Sequence, residues 1–276
     1  MQKIGIVILN YNTFQMTIAL IKNLKAIQSE DIRFEIVVVD NGSQNDSVEM
    51  IKRYIKDDGS IYFIQNVNNL GYAGGNNIGL KYCRSLGLEY ALVTNNDIEI
   101  SSINCILSMI NAMKKETHCA AVSPRIISKE GKKDPPIYFR KPEFKDFTYG
   151  IVGNRKERFR FDEFRTCRIY APRGSFMLLK LEALEQIGYL DENTFLYYEE
   201  PIMAERLLLK GFECWHCGEE TVIHNHGKTI SSVLKKKRTC QILCESLDYY
   251  LKEYRKMNAF KRKICIVFRT LVYMRR

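Results

Sequence analysis

Four short apolar runs punctuate the first hundred positions: Ile4-Gly5-Ile6-Val7-Ile8-Leu9, Phe34-Glu35-Ile36-Val37-Val38-Val39, Ile61-Tyr62-Phe63-Ile64 and Tyr90-Ala91-Leu92-Val93. Each is rich in β-branched residues and closed by polar turn residues, the pattern of strands buried on both faces. Between them the spacing predicts helices near residues 13–28, 45–57 and 75–86. Strand and helix in alternation predict an α/β fold with a doubly wound, Rossmann-like sheet.

In such a sheet ligands bind beyond the carboxyl ends of the strands. Those ends read Asn10-Tyr11-Asn12, Asp40-Asn41-Gly42-Ser43, Gln65-Asn66 and Asn95-Asn96-Asp97, all polar. Asp40 can accept a hydrogen bond from a base or ribose, or serve as a turn acid while Ser43 and Asp46 cap the next helix. The stretch Gly71-Tyr72-Ala73-Gly74-Gly75-Asn76-Asn77-Ile78-Gly79 opens the third helix, where small residues let backbone amides approach a ligand. Neither a Gly-x-Gly-x-x-Gly fingerprint nor a phosphate-binding Gly-Lys-Ser/Thr loop follows these strands, which excludes the usual hydride-transfer and P-loop enzymes.

Further along, Glu199-Glu200-Pro201 suits a helix start, where acids commonly cap, and Glu205, Arg206 and Lys210 read as solvated helix charges. Cys214-Trp215-His216-Cys217 with His224 and His226 is zinc-like in composition. Alternation along a strand would instead send the two sulfurs to opposite faces. Residues 124–166, rich in Lys, Arg, Phe and Pro, read as a long loop able to shape a pocket.

Composition adds a second region. The chain has 276 residues, 46% of them hydrophobic, enough for a full core. Its nine cysteines, an odd number, and a start that runs directly into a strand predict reduced thiols and a cytoplasmic protein. The net charge of +10 lies entirely beyond residue 234: residues 235–276 hold 13 Lys or Arg against 3 acids, leaving 29 of each in the rest of the 42 and 32. There Ile264, Val267, Phe268, Leu271 and Val272 fall at helical spacing between basic residues. Such a stripe either lies on an anionic membrane surface or packs on the body; it is too short to span a bilayer. Nucleic acid is the weaker alternative, since no reading motif accompanies the charge. The expected organisation is a body of residues 1–232, divided at 100, and a basic amphipathic helical tail of residues 233–276.

Taken in order, Val39-Asp40-Asn41-Gly42-Ser43, Thr94-Asn95-Asn96-Asp97, Arg173-Gly174-Ser175-Phe176-Met177, Tyr197-Tyr198-Glu199-Glu200 and His224 with Gly227 and Ser231 resemble family 2 glycosyltransferases of the GT-A fold. Within that family the bacterial rhamnosyltransferase-like branch is the most similar, over about residues 3–232. The resemblance implies a UDP- or dTDP-sugar donor, a saccharide acceptor (lipid-linked, in polysaccharide biosynthesis) and inversion at the anomeric carbon. It places Asp40 at the base and Asn10, Asn69, Gly71, Asn76, Asn77, Asn95, Asn96 and Gly174 around the donor. It makes Asp97 a ligand of Mg²⁺ or Mn²⁺, joined by His224 rather than His226, with Lys228 available to steady phosphate. Glu200 becomes the general base, with Glu199 beside it, where the family usually has Asp. With a single carboxylate at residue 97, the ion should depend on the donor diphosphate to complete its coordination. Peripheral placement on the inner face of the plasma membrane follows from the tail, and a homodimer is compatible with this reading. The rivals are a nucleotidyltransferase, disfavoured by Asn10-Tyr11-Asn12-Thr13 where a Gly/Arg-rich loop belongs, and a noncatalytic sugar-nucleotide or lipid-binding module.

Overall fold

The computed structural model describes residues 2–29, 31–150, 162–225 and 236–275. The first half forms as its pattern predicts. Strands β1 (Gln2–Asn10), β2 (Ile32–Asp40), β3 (Ile61–Gln65) and β4 (Tyr90–Thr94) are joined by helices α1 (Phe14–Ile27), α2 (Ser47–Ile55) and α3 (Gly71–Ser85). All pair in parallel in the order β3-β2-β1-β4. Register sets the site, because Asn10 is paired directly with Asp40 at the ends of β1 and β2.

Beyond β4 come β5 (Ile98–Ile100), α4 (Asn104–Lys115), β6 (Cys119–Ile127), β7 (Cys167–Ile169), β8 (Phe176–Lys180), α5 (Leu181–Gln186), α6 (Glu199–Leu209) and β9 (Glu213–His224). Among the described residues these extend the same sheet to nine strands, ordered β3-β2-β1-β4-β8-β6-β9-β5 with β7 also on β9. β8 runs antiparallel to both β4 and β6, so the sheet is mixed. The antiparallel β5–β9 pair sets Ile98 opposite His224, one residue past Asp97.

Two apolar layers cover the sheet. Ile4, Ile6 and Ile8 of β1 point into one, with α1, α2 and α4; Val7 points into the other, with α3 and α6. Cys214 and Cys217 fall into different layers, on opposite faces of β9, as alternation requires. The glycines of α3 serve packing rather than ligand approach: a Cβ on Gly75 would meet Leu9 Cδ1 at 2.4 Å, and one on Gly79 would meet Val7 Cγ1 at 2.4 Å. They let α3 lie close against β1.

The basic tail folds back. Helix α7 (Lys236–Tyr249), a π-type turn (Tyr250–Tyr254) and α8 (Ala259–Met274) form a hairpin against the body, with Leu247, Tyr250, Leu251 and Cys265 fully buried. Asn258 caps α8 by accepting from Lys261 N at 3.0 Å. The predicted stripe is split by this packing. Ile264 and Val272 are half-buried, whereas Val267, Phe268 and Leu271, joined by Phe260 and Met274, remain exposed. No described helix is long and apolar enough to cross a membrane.

Two expectations about charges and caps need correction. Glu205 and Arg206 are not solvated: Glu205 is buried between Lys141 (2.8 Å) and Arg255 (2.8 Å), and Arg206 donates to the carbonyls of Tyr189 and Ile187. Of that set Lys210 is exposed. Asp46 occupies the N-cap of α2 without a side-chain bond, and Ser43 bonds Asp40 and Asn12 instead. The Ser47 amide and hydroxyl donate to Asn45 Oδ1.

Candidate active site

The ends of β1, β2 and β4 build a neutral amide and hydroxyl network. Asp40 is fully buried, and its Oδ1 accepts from Asn10 Nδ2 at 2.7 Å and Ser43 Oγ at 2.6 Å. Its Oδ2 accepts only from Ser43 N, at 3.0 Å, which leaves acceptor capacity there. Asn10 Oδ1 accepts from Thr17, and Asn96 donates to both Thr13 and Thr17, so α1 is tied into the same cluster. Asn41 donates to Asn69 Oδ1 and to the Gly71 carbonyl. Gly71, at φ +74°, lies so close to Phe195 that a Cβ would sit 2.2 Å from its carbonyl oxygen, and the next amide, Tyr72 N, donates to that oxygen at 2.9 Å. Here a side chain is excluded twice, by the left-handed backbone and by the close approach.

Two predicted donor residues bond within the protein. Asn77 is clamped to residues 190–192: its Nδ2 donates to the Leu190 carbonyl and Glu192 Oε1, and its Oδ1 accepts from Leu190 N. Asn76, also buried, donates to the carbonyl of Tyr72 one helical turn back. The Asn77 amide thus ties α3 to residues 190–192, while the buried Asn76 Oδ1 carries no hydrogen bond among the described residues.

Across β4 and β8 the site becomes charged. The Asn95 amide donates to the Ser175 carbonyl at 2.8 Å, which sets the Asn95-Asn96-Asp97 turn beside Arg173-Gly174-Ser175. Asp97 Oδ1 lies 3.2 Å from His224 Nε2, and His224 Nδ1 lies 3.5 Å from Asp134 Oδ2. Asp134 Oδ1 is 2.6 Å from Arg173 Nη2, which also donates to the Pro135 carbonyl. Next along, Gly174 N donates to Glu200 Oε1 at 3.0 Å, and the Tyr72 hydroxyl donates to the Gly174 carbonyl at 2.5 Å. Asp97, His224, Asp134, Arg173, Gly174 and Glu200 thus form one line drawn from five separate segments.

Burial opposes charge on His224, but Asp134 and Asp97 outweigh it and raise its pKa to about 9. The acidic pair shifts for a different reason. Burial, then the Glu200 charge, pushes Glu199 up to about 8. Burial also raises Glu200, against the opposing pull of Arg173 and the Gly174 amide. A carboxyl raised in this way is suited to take a proton near neutral pH.

For a metal the donor set is partial. Among the described residues no group of three or more His, Cys, Asp or Glu stands ready to hold an ion, and the zinc reading of Cys214 and Cys217 fails because their sulfurs lie on opposite faces. The buried Asp97 Oδ1, however, has no hydrogen bond aligned on it, and His224 Nε2 points at the same place from 3.2 Å. One hard carboxylate and one imidazole fit a divalent ion whose other ligands come from a diphosphate. His226, Gly227, Lys228 and Ser231, and part of the loop 124–166, lie outside the described residues. Sequence reasoning missed Asp134, which lies in no motif, and gave no role to the side chains of Tyr72 and Arg173 within the motifs that contain them.

A mixed α/β sheet flanked by helices is the fold of the GT-A glycosyltransferases. The chain matches the model of glycosyl transferase family 2 over residues 5–188. It is 31% identical over 224 residues to the low-salt glycan biosynthesis hexosyltransferase Agl10 of Haloferax volcanii, which covers 80% of this chain and 67% of that protein. Its fold is similar to that of GalNAc-T7 with UDP, GalNAc and Mn²⁺ (TM-score 0.63, 14% identity, 99% of this chain and 56% of that one). It is similar also to the mannosyltransferase PcManGT of Pyrobaculum calidifontis with GDP-Man and Mn²⁺ (TM-score 0.61, 14% identity, 99% and 74%). The chain spans just over half the length of GalNAc-T7, and these structural likenesses speak to the fold alone. The chain belongs to glycosyltransferase family 2.

Proposed function

We propose that the chain is a metal-dependent inverting glycosyltransferase. It moves a hexosyl or deoxyhexosyl unit, rhamnosyl among them, from a UDP- or dTDP-sugar to a hydroxyl of a lipid-linked saccharide. The observation that carries this reading is the unbroken line of contacts from Asp97 to Glu200, which joins a cation-suited corner to a half-buried carboxyl. The hexosyltransferase name of the 31% identical relative agrees with it.

In this reading Asp97 and His224 hold Mg²⁺ or Mn²⁺, which when bound neutralises charge on the departing diphosphate. Asp40 meets the base through Oδ2, while Asn10, Asn69, Gly71, Asn95, Asn96 and Gly174 shape the donor pocket. Glu200 accepts the proton of the acceptor hydroxyl as that oxygen bonds to the anomeric carbon and the bond from carbon to diphosphate oxygen breaks on the opposite face. A single displacement of this kind inverts the anomeric centre and needs no second catalytic carboxylate.

The tail supplies the membrane side. Phe260, Val267, Phe268, Leu271 and Met274 are exposed along α8, with Lys261 and Lys263 at its start and Lys236, Lys237 and Arg238 on α7, which suits the inner surface of an anionic membrane. Residues 1–232 would then be the catalytic body and 233–276 the seat on the lipid.

The test is a screen of UDP- and dTDP-sugars that counts released nucleoside diphosphate, with Mn²⁺ or chelator, with and without extracted lipid-linked saccharide. Release that requires both metal and lipid extract is expected. No release from any donor by the intact protein would sink the proposal in favour of a binding module.

A further inference from the structure

The acidic pair rests on a backbone that its own helix does not explain. Tyr197 and Tyr198, immediately before Glu199, both have positive φ (+74° and +68°). Neither is glycine, and such residues cost about 1–3 kcal/mol each unless their surroundings hold them. The left-handed pair turns the chain sharply into α6, and that turn sets where Glu199 and Glu200 point.

What holds it comes from the C-terminal hairpin. The Tyr198 ring is buried and stacked on Tyr250 of the π-type turn, centroids 5.5 Å apart and planes 25° apart. Its hydroxyl accepts a hydrogen bond from Arg269 Nη2 of α8 at 3.2 Å. Ser246 Oγ of α7 donates to the Leu196 carbonyl at 2.8 Å, and the hydroxyls of Tyr249 and Tyr254 both donate to Asp191 Oδ2 at the far end of the same loop. The loop Asp191–Tyr198 also presents the Phe195 carbonyl that fixes Gly71 and Tyr72. Arg269 is the odd member of this set: its helix shows apolar residues to solvent while one arginine is turned inward, where among the described residues the Nε has no hydrogen-bond partner and the Nη2 donates to the Tyr198 hydroxyl. An inward arginine on the helix that carries the exposed apolar face is poorly explained by stability alone, because its burial costs solvation that one neutral acceptor does not return.

We infer that Arg269 is a positioning residue for the reaction: through the Tyr198 hydroxyl it locks the strained turn that aims the Glu199–Glu200 pair at the acceptor side of the site. The inference rests on the reading of Glu200 as the base. It also makes the tail part of the catalytic apparatus, since whatever seats α8 acts on the same lock.

The experiment compares wild type with Arg269→Met, Arg269→Lys and Tyr198→Phe, the last of which removes only the accepting oxygen. The reaction is read with whichever donor and acceptor turn over in the screen above, and in parallel by amide exchange of the ligand-free proteins across residues 196–203. Expected are a kcat lowered roughly 10- to 100-fold in Arg269→Met with donor KM unchanged, a smaller loss in Tyr198→Phe, partial rescue by Lys, a displaced lower limb of the kcat–pH profile, and faster exchange confined to residues 196–203. If Tyr198→Phe and Arg269→Met lose melting temperature but keep kcat and its pH profile per folded molecule, the arginine is merely structural and the inference is overturned. Glu200→Gln separates the two readings. Full turnover in that variant removes the base assignment, whereas its loss alongside wild-type kcat in Arg269→Met removes only the positioning role.

Discussion

The two sides of the site are built from opposite materials. At the ends of β1 and β2, Asn10, Thr17, Ser43, Asn41, Asn69 and Asn96 hold Asp40 and the strand ends in a mesh of neutral hydrogen bonds. Across β4, the line Asp97, His224, Asp134, Arg173 and Glu200 alternates in charge and is buried or half-buried throughout. A mesh of neutral donors loses a bond or two when a member is removed; a buried row of charges leaves its neighbours uncompensated, at a larger cost. The first arrangement suits a surface that must hold still. The second suits one that must accept an ion and a proton.

Arg173 should show the contrast most strongly. Arg173→Met strips the counter-charge from Asp134 and removes the pull that opposes the upward shift of Glu200. Stability should fall by about 3 kcal/mol in urea titrations, and the rising limb of the turnover profile should move to higher pH. A wild-type profile in this variant would show the row to be electrostatically idle.

Glu199→Gln is the next sharpest. Burial and the neighbouring Glu200 hold the carboxyl neutral in the fold up to about pH 8, while the unfolded chain ionises near the ordinary 4.5. Between those values the folded form binds the extra proton, so stability is full below the lower one and is lost as pH rises through the window. The Gln variant should lack this slope: equal to wild type near pH 4 and more stable above pH 8, by about 2–5 kcal/mol. Parallel stability curves for the two proteins would remove the buried-acid account of the pair.

On the neutral side Asn10→Ala should cost about 1–3 kcal/mol in urea titrations, the loss of one buried partner by Asp40 and by Thr17. Smallest of all are the tail charges. Replacing Lys261 and Lys263 together should weaken sedimentation with phosphatidylserine-containing vesicles by about 1 kcal/mol per residue, an effect that added salt erases. Binding to neutral vesicles as tight as to anionic ones would contradict the proposed seat.

The same contrast governs what the chain's text reveals. The β1–β4 half was legible because each strand is a local run followed at once by its polar turn, and the Asn10–Asp40 pair follows from parallel register. Asp97 and His224 come within reach because β5 and β9 pair as antiparallel neighbours, which no short motif announces. Asp134 lies in a stretch with weak periodicity and is placed by its amide bonding Ile126, a contact across a loop. The bonding of Asn77 was illegible for a related reason: the residues 190–192 that take up its amide lie more than a hundred positions away. In the tail, helical spacing located α8 but not which face the body takes, because Cys265 is the residue most buried and Arg269 turns inward beside it while Val267, Phe268 and Leu271 stay exposed.

The central claim is that a cation corner at Asp97 and a proton acceptor at Glu200 serve one reaction. Its most direct test measures Mn²⁺-dependent nucleoside diphosphate release and calorimetric donor binding in Asp97→Asn and Glu200→Gln side by side. The account predicts that both variants lose turnover by roughly 10²-fold or more, with metal-dependent donor binding lost in Asp97→Asn and retained in Glu200→Gln. Undiminished turnover in Glu200→Gln, or unchanged metal dependence of donor binding in Asp97→Asn, would contradict it.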